Sequence, residues 1–77
     1  MTTPQTLPAE HLIQLAQLDR AEFKARTRYS ATHRRVADIP EGEATDQDLD
    51  DVTDTYMAWV TAWERLQQAR RELGTVA

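Results

Sequence analysis

The sequence predicts an all-α protein: an antiparallel two-helix hairpin that pairs with a second copy into a homodimeric four-helix bundle. Proline and glycine, which interrupt helices, fall near the two ends of the chain and in one central segment, residues 38–44. Two uninterrupted stretches flank that segment, residues 8–37 and 45–73. We therefore expect one helical-hairpin domain, residues 1–77, with a helix on each side of a seven-residue loop.

The first predicted helix, residues 8–37, begins with Pro8, whose missing N–H costs nothing in the first turn. Its apolar residues cover about half of the helical circumference. They are Leu12, Leu15, Ala16, Leu18, Phe23, Ala25, Tyr29, Val36 and Ala37. A face this broad is typical of a helix that contacts more than one neighbour.

The loop and the two helix ends carry recognisable signals. Pro40 disfavours the α conformation at Ile39 and so ends the first helix. Thr45 and Asp48 are spaced as a capping box, with Asp48 in place of the usual Glu or Gln. Gly74 follows the last apolar residue and is expected to end the second helix.

The second predicted helix, residues 45–73, has a heptad pattern, in which positions alternate at spacings of three and four. Its members are Leu49, Val52, Tyr56, Trp59, Trp63, Leu66, Arg70 and Leu73. Folding the chain at the short loop brings together residues whose numbers sum to about 85. This register places Tyr29 opposite Tyr56 and Ala25 opposite Trp59.

The two helices of a hairpin contact each other along a single line, which we call the seam. One seam cannot cover all of the apolar side chains that the two helices carry. An exposed stripe of large side chains on a monomer marks an interaction surface or an aggregation hazard, and a twofold dimer is the simplest way to cover it. The residues expected in the core or at the interface are Leu15, Leu18, Phe23, Tyr29, Val52, Tyr56, Trp59, Trp63, Leu66 and Leu73. The partner is expected to be a second copy or another helical protein.

Four charged residues interrupt the apolar surfaces of the two helices. The register predicts an ion pair between Asp19 and Arg70, and helical spacing predicts another between Glu22 and Arg26. We interpret these pairs as register-fixing contacts at the edge of the bundle. The alternative is a small anion-binding pocket at the dimer core, lined by Arg26 and Arg70.

The net charge of −4 conceals two segments of opposite sign. Residues 20–35 contain six basic residues and a single acid, whereas residues 36–64 contain nine acids and no base. Side by side in the hairpin, the segments neutralise each other and help to specify the register. Two alternatives remain open. A basic stripe could bind nucleic acid, and the acidic segment could bind a basic partner surface as an acidic inhibitor does. The stripe consists of Arg20, Lys24, Arg28 and Arg35.

Several functional classes lack their signatures. The chain has no cysteine, and His11 and His33 are too far apart on one helix to share a metal. The acidic run that begins at Asp46 lacks the Gly and Glu of a calcium loop, with Asp51 and Met57 at those positions. No apolar run approaches the roughly 20 residues that span a bilayer, and we expect no signal peptide because residues 1–5 are polar and uncharged.

We therefore expect a small cytoplasmic protein without enzymatic activity, cofactor or membrane association. It would act as an interaction or adaptor protein through self-association and the binding of partner helices. The alternatives, in order, are a nucleic-acid-binding regulator and an acidic inhibitor.

Overall fold

The computed structural model describes residues 9–73, which form two long helices joined by one loop. Helix α1 spans Ala9–Ala37 and helix α2 spans Asp46–Leu73, and they pack against each other as a hairpin. The all-α hairpin is thereby confirmed for the single chain. Pro8 and Gly74, for which helix-terminal roles are predicted, lie outside the described residues.

A tight turn reverses the chain between the helices. The Glu43 N–H donates to the Pro40 carbonyl over 3.0 Å, and Gly42, the third residue of this turn, has a φ of 84°. A positive φ at that position is the pattern of a type II turn, which strongly favours glycine. At the end of α1, the Ile39 N–H donates to the Val36 carbonyl over 3.1 Å. The loop is therefore built by the proline and glycine that predicted it.

The predicted capping box at the start of α2 is confirmed. The Asp48 N–H donates to the Thr45 hydroxyl over 3.1 Å, and the Thr45 N–H donates to the Asp48 carboxylate over 2.9 Å. Two backbone donors that a helix N-terminus leaves without a partner are thus satisfied. Thr45 is the N-cap, so α2 begins one residue later than the predicted range of 45–73.

Helix α1 has a more regular seam than its apolar residues predict. Its buried and half-buried residues recur at alternating spacings of four and three, which is the heptad pattern of a coiled coil. They are His11, Leu15, Leu18, Glu22, Ala25, Tyr29, Thr32 and Val36. Polar residues occupy three of these positions, and hydrophobicity alone therefore indicates a looser and wider face.

The seam of α2 differs from the predicted one. Its buried and half-buried heptad positions are Asp48, Val52, Thr55, Trp59, Ala62, Leu66, Ala69 and Leu73. Four of them were predicted; the other four, Asp48, Thr55, Ala62 and Ala69, replace Leu49, Tyr56, Trp63 and Arg70. The observed column of Thr55, Ala62 and Ala69 lies on one side of the column of Val52 and Trp59, and the predicted column of Tyr56 and Trp63 lies on the other side. The column with small side chains faces α1 because it lets the two helix backbones approach closely, whereas the aromatic column lies at the edge of the seam.

The register agrees with the predicted sum of about 85. The rings of Tyr29 and Tyr56 have centroids 5.4 Å apart, and Tyr29 stacks on Trp59 at 5.5 Å. Farther from the loop, the guanidinium of Arg70 lies 3.6 Å from the Asp19 carboxylate, as predicted. Residue numbers rise along one helix as they fall along the other, which makes the hairpin antiparallel.

Glu22 is the one charged residue that the described chain buries, with 7% of its surface exposed. Its carboxylate accepts a hydrogen bond of 3.0 Å from the indole N–H of Trp59, and Arg26 lies 3.8 Å away. The prediction included the pair with Arg26 and missed the bond across the seam. A buried carboxylate must be hydrogen-bonded, and here it anchors Trp59 to α1.

Replacing Glu22 with alanine is expected to lower the free energy of unfolding by about 1–3 kcal/mol, because the partly buried indole N–H of Trp59 loses its acceptor. Glu22→Gln is the matched control, since its amide oxygen can accept the same bond. Urea unfolding followed by circular dichroism measures both. Equal stability of the two variants would contradict a role for the bond.

Stability is expected to fall on acidification because of Asp48. The N–H of Thr45 and then the Arg35 guanidinium hold the pKa of the Asp48 carboxyl below its ordinary value of 3.8. A lowered pKa contributes stability that is present above the ordinary value and is lost as the pH falls through the folded-state value. Urea unfolding between about pH 2 and pH 6 should show that loss. Asp48→Asn should flatten the acid limb, and Asp50→Asn on the same turn should not; identical limbs in the two variants would refute the assignment.

Candidate interaction surface

Many large apolar side chains of the described hairpin lie outside its seam. Leu66 and Ala69 are the buried hydrophobic residues within residues 9–73. In contrast, seven large hydrophobic side chains are 44–58% exposed. They are Leu12, Ile13, Phe23, Leu49, Tyr56, Met57 and Trp63. The described hairpin therefore presents much of its apolar surface to solvent.

Five of these side chains lie on one side of the hairpin, which we call the apolar face. Its members are Leu12, Phe23, Leu49, Tyr56 and Trp63. Leu49, Tyr56 and Trp63 repeat every seven residues, so they lie in one column along α2. Ile13 and Met57 lie elsewhere on the outer surfaces of their helices, because their positions are rotated away from the groove between α1 and α2.

Contacts between the helices establish that the two halves of the apolar face are adjacent. Arg70, seven residues after Trp63, forms the ion pair with Asp19, which is four residues before Phe23. At the loop end, His33 of α1 and Leu49 of α2 line the same surface groove. The side chains between these two points consequently share one side of the hairpin.

Aromatic rings fill the centre of this side. Tyr56 meets Tyr29 and Trp59 edge-on, with centroids 5.4 Å and 6.1 Å apart. Trp63 and Val60 extend the cluster along α2 and line a shallow cleft with Tyr56 and Trp59. His33 packs against Tyr29 at 5.8 Å. The aromatic rings thus form a continuous strip from the seam to solvent.

The two arginines on this side are neutralised within the chain. Arg26 lies 3.8 Å from the Glu22 carboxylate and 5.6 Å from the centroid of the Phe23 ring. Arg70 pairs with Asp19. Each guanidinium therefore has a carboxylate beside it within the hairpin, and the anion pocket at the dimer core stays a prediction.

The opposite side of the hairpin is polar. Arg35 donates to Asp48 over 3.0 Å and to Asp51 over 3.2 Å, which joins the end of α1 to the start of α2. This contact pairs Arg35 with two carboxylates, and its place in the nucleic-acid-binding stripe stays a prediction. Arg20, Lys24 and Arg28 remain on the outer surface of α1, and nucleic-acid binding by them stays a prediction.

The residues predicted as core or interface separate into two groups. Seven lie in the seam and are buried or half-buried: Leu15, Leu18, Tyr29, Val52, Trp59, Leu66 and Leu73. The other three, Phe23, Tyr56 and Trp63, lie on the apolar face and are about half exposed. The small side chains at Thr55, Ala62 and Ala69 are the signal that distinguishes the two groups. As a correction, Tyr56 and Trp63 are not core residues of the hairpin itself.

Other classes of site find no support in the described part of the chain. Residues 9–73 contain no cluster of three or more metal-ligating side chains, and neither helix is long and apolar enough to cross a membrane. Comparison with protein families, with curated proteins and with solved structures finds no match to this chain. Within residues 9–73, the apolar face is therefore the feature that most directly indicates a function.

Proposed function

We propose that this protein is a small non-catalytic interaction module that associates through its apolar face. The face binds helices, either those of a second copy or those of a different helical protein. A single observation carries the proposal: within residues 9–73 the hairpin buries two hydrophobic residues and leaves seven large ones about half exposed.

The size of the apolar face supports an interface. An aromatic side chain has roughly 150–250 Å² of surface. The exposed halves of Phe23, Tyr56 and Trp63, with those of Leu12 and Leu49, therefore provide roughly 400 Å². That is within the range of the largest apolar patch on a typical monomer, and such patches are often functional. It is also about half of the ~800 Å² that each partner contributes to a standard interface, and flanking polar residues would contribute the rest.

The shape of the face favours a helical occupant. Its apolar residues on α2 form a heptad column, and a groove between α1 and α2 continues beside them. Heptad columns pack against other helices by inserting side chains between those of the neighbour. We also propose a cytoplasmic location, as the composition predicts. Association through the apolar face does not depend on that location.

Charging the centre of the apolar face is expected to abolish self-association. In Trp63→Glu the carboxylate would be buried without a partner, so sedimentation equilibrium should return a monomer near 8.8 kDa where the wild-type chain sediments as a dimer. Met57→Glu is the matched control, because Met57 is similarly exposed but borders the face on the outer surface of α2, where an added carboxylate stays in water. Dissociation caused equally by both variants, or by neither, would contradict the proposal.

A further inference from the structure

We propose that a second copy of this chain covers the apolar face, with the loops of both hairpins at the same end of a four-helix bundle. In this arrangement α1 of each hairpin lies beside α2 of its partner. The inference rests on the proposed function, because it specifies how the same face associates.

Two twofold arrangements stack the apolar faces of the hairpins. If the twofold axis runs parallel to the helices, the loops share one end and α1 lies beside the partner's α2. If the axis runs across the helices, the loops lie at opposite ends, and each helix lies beside its own counterpart. Both are closed and isologous, so packing of apolar side chains alone does not choose between them.

Charge distinguishes the two arrangements. Residues 20–35 of α1 contain six basic residues and one acid, whereas residues 46–64 of α2 contain six acids and no base. The hairpin register already places these segments at the same level, as the contact between Arg35 and Asp51 demonstrates. The parallel axis preserves that level and sets each basic segment beside the partner's acidic one. The crossed axis sets helices of the same sign together, which opposes association.

One pair of side chains lies where the parallel arrangement needs opposite charges. Arg20 is one turn before Phe23, and Glu64 directly follows Trp63; both are exposed on the outer surfaces of their helices, in the heptad columns of Ile13 and Met57, which border the apolar face. Neither forms an ion pair within residues 9–73. The contact of Asp19 with Arg70 and that of Glu22 with Trp59 bracket their level, and so residues 20 and 64 lie at the same height.

A twofold axis parallel to the helices keeps that height. It therefore brings Arg20 next to Glu64 of the partner subunit at both edges of the interface. At the neighbouring level it brings Phe23 beside Trp63 of the partner subunit. Both contacts occur twice by symmetry, with the aromatic pair inside and the charged pair at the rim, as in most protein interfaces.

Distances between spin labels test the arrangement of the full chain. The sequence has no cysteine, so Glu43→Cys in the loop and Thr61→Cys on the outer surface of α2 can each be labelled alone. Loops at the same end should give a loop-to-loop distance within about 30 Å, because neighbouring helix axes lie ~8–10 Å apart. Loops at opposite ends should give more than about 40 Å, the length of α2 at ~1.5 Å per residue. Thr61 lies near mid-helix and should report a short distance in either dimer.

The two label positions distinguish the arrangement of the dimer from the existence of the dimer. Short distances at both positions support the inference. A short distance at residue 61 with a long one at residue 43 would overturn it and leave self-association intact. The absence of dipolar coupling at both positions, with a monomer in sedimentation, would overturn both and would leave the face to a helix of a different protein.

Charge reversal tests the rim contact. Arg20→Glu should weaken the dimer about tenfold, since two attractive pairs become repulsive, and adding Glu64→Arg in the same chain should restore the affinity. Arg28→Glu is the control, because Arg28 lies on α1 away from the apolar face. Failure of the double variant to regain affinity, or an equal effect of Arg28→Glu, would overturn the pairing of Arg20 with the partner's Glu64.

Discussion

Two antiparallel helices share a single seam, and the rest of this structure follows from what that seam can cover. In a hairpin each helix contacts one neighbour, so large apolar side chains beside the seam stay in contact with water. Leu66 and Ala69 are enclosed, while Phe23 and Trp63 remain about half exposed. A chain of this size buries little surface by itself and usually needs another source of stability. The sequence has no cysteine for a disulfide, and the source that we propose is association.

Within the seam, polar and small residues have as much influence as large apolar ones. Ala62 and Ala69 allow the helices to approach, and Trp59 then reaches across to the carboxylate of Glu22. That hydrogen bond gives the seam a specific register, because a shift of one turn would leave a buried carboxylate without its donor. The ion pair between Asp19 and Arg70 is exposed and weak by comparison, so it adds to the register more than to stability.

Much of the fold could be predicted from the sequence, since its signals are local. Pro40 and Gly42 locate the turn, and Thr45 caps α2 through bonds that depend on four consecutive residues. Hydrophobicity could not predict whether the column of Ala62 or that of Trp63 faces α1, because it favours the column with tryptophan. It depends on how closely two backbones approach, and that is a property of both helices together. The sequence predicted more apolar side chains than one hairpin can cover, but which of them form the apolar face and which lie in the seam could be seen only in the structure.

If a second copy covers the apolar face, as we propose, dimerisation stabilises the folded hairpin. Thermal unfolding of the wild-type chain, followed by circular dichroism over a hundredfold range of protein concentration, tests this directly. If folding and dimerisation are coupled, the midpoint rises steadily with concentration by mass action. A midpoint that does not change with concentration would show that the hairpin is stable alone, and would contradict the account.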